Sequence, residues 1–153
     1  MNKFVITHLE KFQFHNTPLR ISEKEGKTFV YDPLRKKNIL LTPEEEVRQK
    51  LVLYLLNEKN IPVGLIAVER ALKINGMLKR FDIVIYNSSG NPHLAIECKA
   101  PSIKLTQTTL QQLAVYNLHL KAEFLMVSNG VEHLISQVNF ETRGIRFLEE
   151  LPF

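Results

Sequence analysis

Cysteine, phosphate-binding glycine motifs, zinc-ligand spacings and long apolar runs are scarce or missing in this sequence, and each absence removes a class of protein. A single cysteine, Cys98, among 153 residues excludes an internal disulfide, which accords with a reducing, cytoplasmic setting. No run of eighteen apolar residues occurs, so no membrane-spanning helix is expected. The opening MNKFVITHLEK has neither the apolar core nor the cleavage site of a secretory signal. The pattern G-x-x-x-x-G-K-[ST] is absent, which excludes a P-loop ATP-driven motor. No zinc-ligand spacing, helix-turn-helix element, internal repeat or low-complexity tract is visible.

What is present is the composition of a folded domain: 44% hydrophobic and 24% charged residues leave no case for disorder. The length points to one domain over residues 1–153, with an N-terminal arm and β-hairpin extension over about 1–41. In the arm, Phe4, Phe12 and Phe14 call for burial, whereas Lys3, His8, Lys11 and His15 mark partial exposure. A net charge of +4 is compatible with a polyanionic partner. Arg35-Lys36-Lys37 and Lys79-Arg80 read either as a solvated turn and a strand entrance or as phosphate contacts.

The central stretch is FDIVIYNSSGNPHLAIECK, Phe81 to Lys99, two alternating apolar segments around a turn cluster. A turn symmetric about the Ser89–Gly90 bond pairs positions that sum to 179, which sets Asp82 opposite Glu97. Alternation then places Phe81, Ile83, Ile85, Leu94, Ile96 and Cys98 on one face. Asp82, Val84, Tyr86, Ala95, Glu97 and Lys99 fall on the other. Like charges directly opposed across strands are destabilising, and a divalent cation between them reverses the sign. The hairpin therefore reads as half of a metal site, with Lys99 placed to hold a water; the alternative is a surface ion pair on an edge hairpin.

Upstream, LRISEKEGKTFVYDP predicts a hairpin about Lys24–Lys27, followed by a short strand at Ile39–Leu41. Thr42-Pro43-Glu44-Glu45 predicts a capped helix start. Its buried stripe is Val47, Leu51, Tyr54 and Leu55, with Glu44 and Arg48 on the same face and Glu45 at its edge. Three meander strands follow at about 66–73, 78–86 and 93–99, with a turn at Asn75-Gly76. A helix is expected from about Thr108 to Lys121, with a core stripe of Leu110, Leu113, Ala114 and Leu118. On it Gln112 is either the end of a Thr109–Gln112 capping box or functional, one turn from Tyr116. AEFLMVSNG is expected to return as a parallel strand, and EHLISQVNF and RGIRFLEEL to pair near the edge.

This order, with Asp on the second meander strand and Glu-x-Lys on the third, resembles the PD-(D/E)xK nuclease superfamily. The words LLTPEEEVRQKLVLYLL, LIAVERALK, KRFDIVIYNSSGNPHLAIECKAPS, QQLAVYN and FLMVSNG resemble the N-terminal nuclease-like domain of type I restriction enzyme R subunits and its short stand-alone relatives. The resemblance spans about residues 28–148, although Phe81 stands where the motif has Pro. It implies an α/β (α+β) restriction-endonuclease-like mixed sheet, a three-strand meander flanked by helices. It also implies a Mg²⁺-dependent deoxyribonuclease, Mn²⁺ being a possible substitute. Asp82, Glu97 and the main-chain carbonyl of Cys98 would hold the metal, Lys99 would serve the water, Glu44 or its rival Glu45 would be the helix acid, and Gln112 would complete the site. The implied partners are DNA and either a second copy or separate specificity and motor chains, with no membrane. A non-catalytic nucleic-acid-binding or assembly module on the same fold is the alternative.

Overall fold

The computed structural model describes Phe14 and residues 16–153. The expectations for Phe4, Phe12, Lys3, His8, Lys11 and His15 lie outside the described residues. Phe14 is buried beside Tyr54 and His133, with ring centroids 6.2 and 5.3 Å away.

Two sheets form. Strands β1 (Ile21–Lys24), β2 (Lys27–Asp32) and β3 (Lys37–Leu40) make an antiparallel three-stranded sheet. Glu25 and Gly26, both at positive φ, form the tight first turn. Helix α1 (Pro43–Asn57) starts where the capping signal predicts, with Thr42 Oγ1 accepting the Glu45 amide at 3.1 Å. Strands β4 (Ile66–Ile74), β5 (Met77–Tyr86) and β6 (Pro92–Cys98) then form the expected meander. Helix α2 (Gln107–Leu120) crosses to β7 (Phe124–Ser128), which lies parallel to β6. Strands β8 (His133–Asn139) and β9 (Gly144–Leu148) finish the six-stranded sheet β4-β5-β6-β7-β8-β9 as antiparallel neighbours.

Both faces of the centre of this sheet are covered. Ile83, Ile85, Leu94, Ile96 and Met126 pack with Val47, Leu51 and Leu55 of α1, whereas Val84, Ala95, Leu125 and Val127 pack with Leu110, Leu113 and Leu120 of α2. Double burial explains why these strands read as near-continuous apolar runs.

Four local expectations need correction. The turn is centred on Ser89, because the Asn87 amide bonds Asn91 O, and a bulge at Ile85/Tyr86 takes up the half-residue offset. Deeper in the hairpin Ile83↔Ile96, Val84↔Ala95 and Ile85↔Leu94 keep the sum of 179. Phe81, expected beside Ile83, packs instead with Val84 on the α2 side, because alternation breaks in both strands at one rung. There Glu69 takes φ +52°, so Val68 and Ile83 lie in the α1 layer while Leu72 and Phe81 lie in the α2 layer. On α2, Leu118 is 58% exposed and Asn117 is buried in its place. Asn117 donates to Ala122 O at 2.9 Å and accepts the Ala122 amide at 2.8 Å, satisfying both polar ends of its side chain. The helix is capped at Thr106, one turn before Thr109, so Thr109–Gln112 is no capping box.

Replacing Asn117 with Ala strands both backbone groups of Ala122 and is expected to lower stability by about 2 kcal/mol or more. Leu118→Ala, on the exposed face, should change it by less than about 0.5 kcal/mol. Urea unfolding of the two variants checks the assignment of the faces.

Candidate active site

The β5–β6 ladder ends at Ile83↔Ile96, one residue short of Asp82 on β5 and of Glu97 on β6. Here the carboxylate replaces a main-chain partner: the Cys98 amide donates to Asp82 Oδ2 at 2.8 Å, which fixes the acid between the parting strands. Glu97 Oε1 lies 3.2 Å from Lys99 Nζ. Lys99 leaves the sheet with its own amide bonded to Ser128 O at 2.8 Å. Asn129 Nδ2 donates to Ile103 O at 2.8 Å and pins the following loop to the end of β7.

The electrostatics are those of crowded acids. Burial pushes the Glu97 carboxyl up to about 7, Asp82 beside it adds to the rise, and the Lys99 ammonium opposes it. Burial works to lower Lys99, but Glu97, then Glu44 and Asp82, more than offset it, and the ammonium is held more firmly than usual. Glu44, half-buried on the first turn of α1, is raised by burial and then by Asp82, with Lys99 and Arg48 acting the other way. Glu44 thus feels the charges of Asp82, Lys99 and Arg48, although no three acid side chains among the described residues come close enough together to hold one ion. Cys98 is wholly buried in the core on the α1 side, with its thiol pushed up by desolvation. Gln112 is exposed on α2, and Tyr116 one turn on lies under Lys79 Nζ at 5.4 Å from the ring centre.

Glu45 is engaged elsewhere. It accepts from Arg35 Nη2 at 2.7 Å, Arg48 Nη2 at 2.5 Å and Gln49 Nε2 at 2.9 Å. Arg48 Nη1 in turn lies 3.4 Å from Asp82 Oδ1 and 3.6 Å from Glu69 Oε1. Arg35, from the β2–β3 turn, also binds Asp32 Oδ2 at 2.5 Å and Glu69 Oε2 at 3.1 Å. Burial would raise the Asp32 carboxyl, yet bonds from Arg35 and Gln49 hold it below its usual range.

This network was not anticipated. The helix pattern does no more than turn Arg48 inward, and the basic triplet reads as a solvated turn or a phosphate contact, whereas Arg35 points into the protein. The available signal was the spacing Glu45, Arg48, Gln49, which puts three polar side chains on one helix face beside the apolar stripe.

Comparison with known proteins agrees with this architecture. The family model described as type I restriction enzyme R protein N terminus matches residues 43–152. A solved fragment of an HsdR subunit of a type I restriction enzyme from Vibrio vulnificus YJ016 superposes with a TM-score of 0.51 at 21% identity, over 73% of this chain. The alignment covers 24% of that chain, so this protein corresponds to about a quarter of its length. No curated protein sequence matches. With most of its length, residues 43–152, matched by the family model and its fold shared with the HsdR fragment, the chain belongs to the family of type I restriction enzyme R protein N-termini.

Proposed function

We propose that this chain is a Mg²⁺-dependent nuclease domain, with Mn²⁺ as a substitute, that hydrolyses phosphodiester bonds in DNA. The observation that carries the reading is the meeting of the Asp82 and Glu97 carboxylates with the Lys99 ammonium at the open end of β5 and β6. The donors suit a hard ion: two carboxylates that repel one another, with the Cys98 carbonyl between Glu97 and Lys99 in the chain, a set of the size Mg²⁺ takes alongside its waters. Asp82, Glu97 and that carbonyl would hold it, and Glu44 would bind its water shell. Once bound, the ion supplies positive charge to the phosphoryl oxygens and acidifies a water.

The chain's own groups do the positioning. The Cys98 amide keeps Asp82 from rotating away. Lys99, held protonated by its three acidic neighbours, donates a hydrogen bond to the attacking water or a phosphoryl oxygen. The exposed Gln112 is assigned to a phosphate rather than to Lys99. In the family setting, target selection and ATP-driven movement would come from separate specificity and motor chains, and cutting both strands from two copies of the site. A non-catalytic nucleic-acid-binding or assembly module has one observation in its favour: Arg48 already neutralises Asp82 at 3.4 Å.

Plasmid and branched DNA incubated with purified protein and Mg²⁺ or Mn²⁺ should be cut. Asp82→Asn retains an acceptor for the Cys98 amide, and both it and Lys99→Ala are expected to lose on the order of a hundredfold or more of that activity. Cleavage that survives both substitutions sinks the reading. No cleavage, together with no heat of metal binding, establishes the non-catalytic module.

A second test uses pH. The folded pKa of Glu97 lies above its ordinary 4.5, so the metal-free folded protein holds this proton more tightly than the unfolded chain. Its contribution to stability is present below about 4.5, is lost as pH rises to about 7, and changes no further above that. Denaturant midpoints of wild type and Glu97→Gln across this range should diverge accordingly. Metal binding should displace the proton, so calorimetry in buffers of different ionisation enthalpy is expected to show about one proton released per Mg²⁺ well below pH 7 and almost none well above it.

A further inference from the structure

The rung at which β4 and β5 change sides divides their ribbon into two unlike halves. On the near side, the arginines of the neighbouring elements are paired: Arg35 and Arg48 meet Asp32, Glu45, Glu69 and Asp82. On the far side, residues 70–81, RALKINGMLKRF, carry four cations and no acid. Arg70 is spent on the Tyr86 hydroxyl at 3.0 Å, and Lys79 lies over the Tyr116 ring. Lys73 and Arg80 are exposed and have no ion-pair partner among the described residues.

The register says where these two point. Ala71↔Arg80 and Lys73↔Leu78 are directly opposed pairs and so share one face, whereas Leu72↔Lys79 lies on the face packed toward α2. The face turned away from α2 therefore presents Lys73, Leu78 and Arg80, with Leu78 61% exposed. Arg80 is two residues from Asp82, about 7 Å along the strand, and Leu78 is as far again. A row of unpaired cations flanking an exposed apolar side chain runs straight up to the acid pair.

We infer that this face of the distal β4–β5 ribbon is a docking surface for duplex DNA, Lys73 and Arg80 binding phosphates and Leu78 lying against the sugars or base edges, and that it leads the backbone to Asp82. The charge is complementary, and an unpaired cation gives up no protein partner when it takes a phosphate. A two-stranded ribbon also matches the wide major groove of B-form DNA, whereas the A-form groove of RNA is too narrow for side chains to read. The choice of DNA rests on the nuclease reading above; the surface does not.

The test is binding without cleavage: anisotropy of a short labelled DNA duplex in EDTA, titrated with the full chain between about 50 and about 200 mM salt. In the wild type, log K should fall steeply with log salt. Lys73→Gln/Arg80→Gln removes two phosphate contacts, so the slope should flatten by about 1.8 and the affinity loss across that range should shrink roughly tenfold. Lys24→Gln/Lys27→Gln removes the same charge from the exposed β1–β2 turn and should keep the wild-type slope. The inference is overturned if the ribbon variant keeps the wild-type slope, if both variants flatten it equally, if the wild type binds no DNA, or if duplex RNA of the same sequence binds as tightly. Ribbon-dependent binding with no cleavage under any metal would sink the nuclease reading and leave the docking surface standing. Cleavage indifferent to the ribbon variant would do the reverse.

Discussion

Two carboxylates are held side by side at the end of a doubly buried strand pair, and much of the surrounding structure acts to tolerate their repulsion. Three devices share that task. The Cys98 amide takes one oxygen of Asp82, Arg48 faces the other, and Lys99 lies against Glu97. Proton retention by Glu97 is a fourth, reflected in its raised pKa. Each supplies positive charge or a donor where a pair of anions would otherwise force the strands apart.

Arg48 ties this local problem to the rest of the chain. Its guanidinium joins Glu45 of its own helix to Asp82 of the sheet, and Glu45 passes the connection through Arg35 to Asp32 on the smaller sheet. The three-stranded sheet, outside the matched family region, is thereby fastened to the acid pair by ionic contacts that are mostly buried. Removing one member leaves an opposite charge without its partner, which is why such networks resist piecemeal change.

The register at the base of the central hairpin was legible from its alternation, whereas the turn cluster alone misplaces the turn, whose centre at Ser89 is offset from the ladder by the bulge at Ile85/Tyr86. The helix start was legible because Thr42, Pro43 and Glu45 each carry a positional preference of their own. The ionic network was not, because its links from Arg35 to Glu45 and Glu69 and from Arg48 to Asp82 join positions ten or more residues apart, and Arg35 sits in a basic triplet that resembles any solvated turn. Alternation misplaces Phe81 for a related reason: the break in it coincides with Glu69 at φ +52°, and no local signal marks it. Hydropathy ranks Leu118 above Asn117 for burial, yet two main-chain bonds to Ala122 reverse that order.

The bulge at Ile85/Tyr86 also separates two kinds of evolutionary freedom. On one side lies the exposed turn from Asn87 to Asn91, held by Asn87 and short polar contacts. On the other lies the ladder that ends at Ile83↔Ile96, next to Asp82 and Glu97. Because the bulge absorbs a fractional mismatch between the two, the turn is free to vary in composition, and in length by steps that a neighbouring bulge can absorb, while the acids keep their alignment. The tip of the hairpin can drift over evolutionary time at little risk to the chemistry at its base.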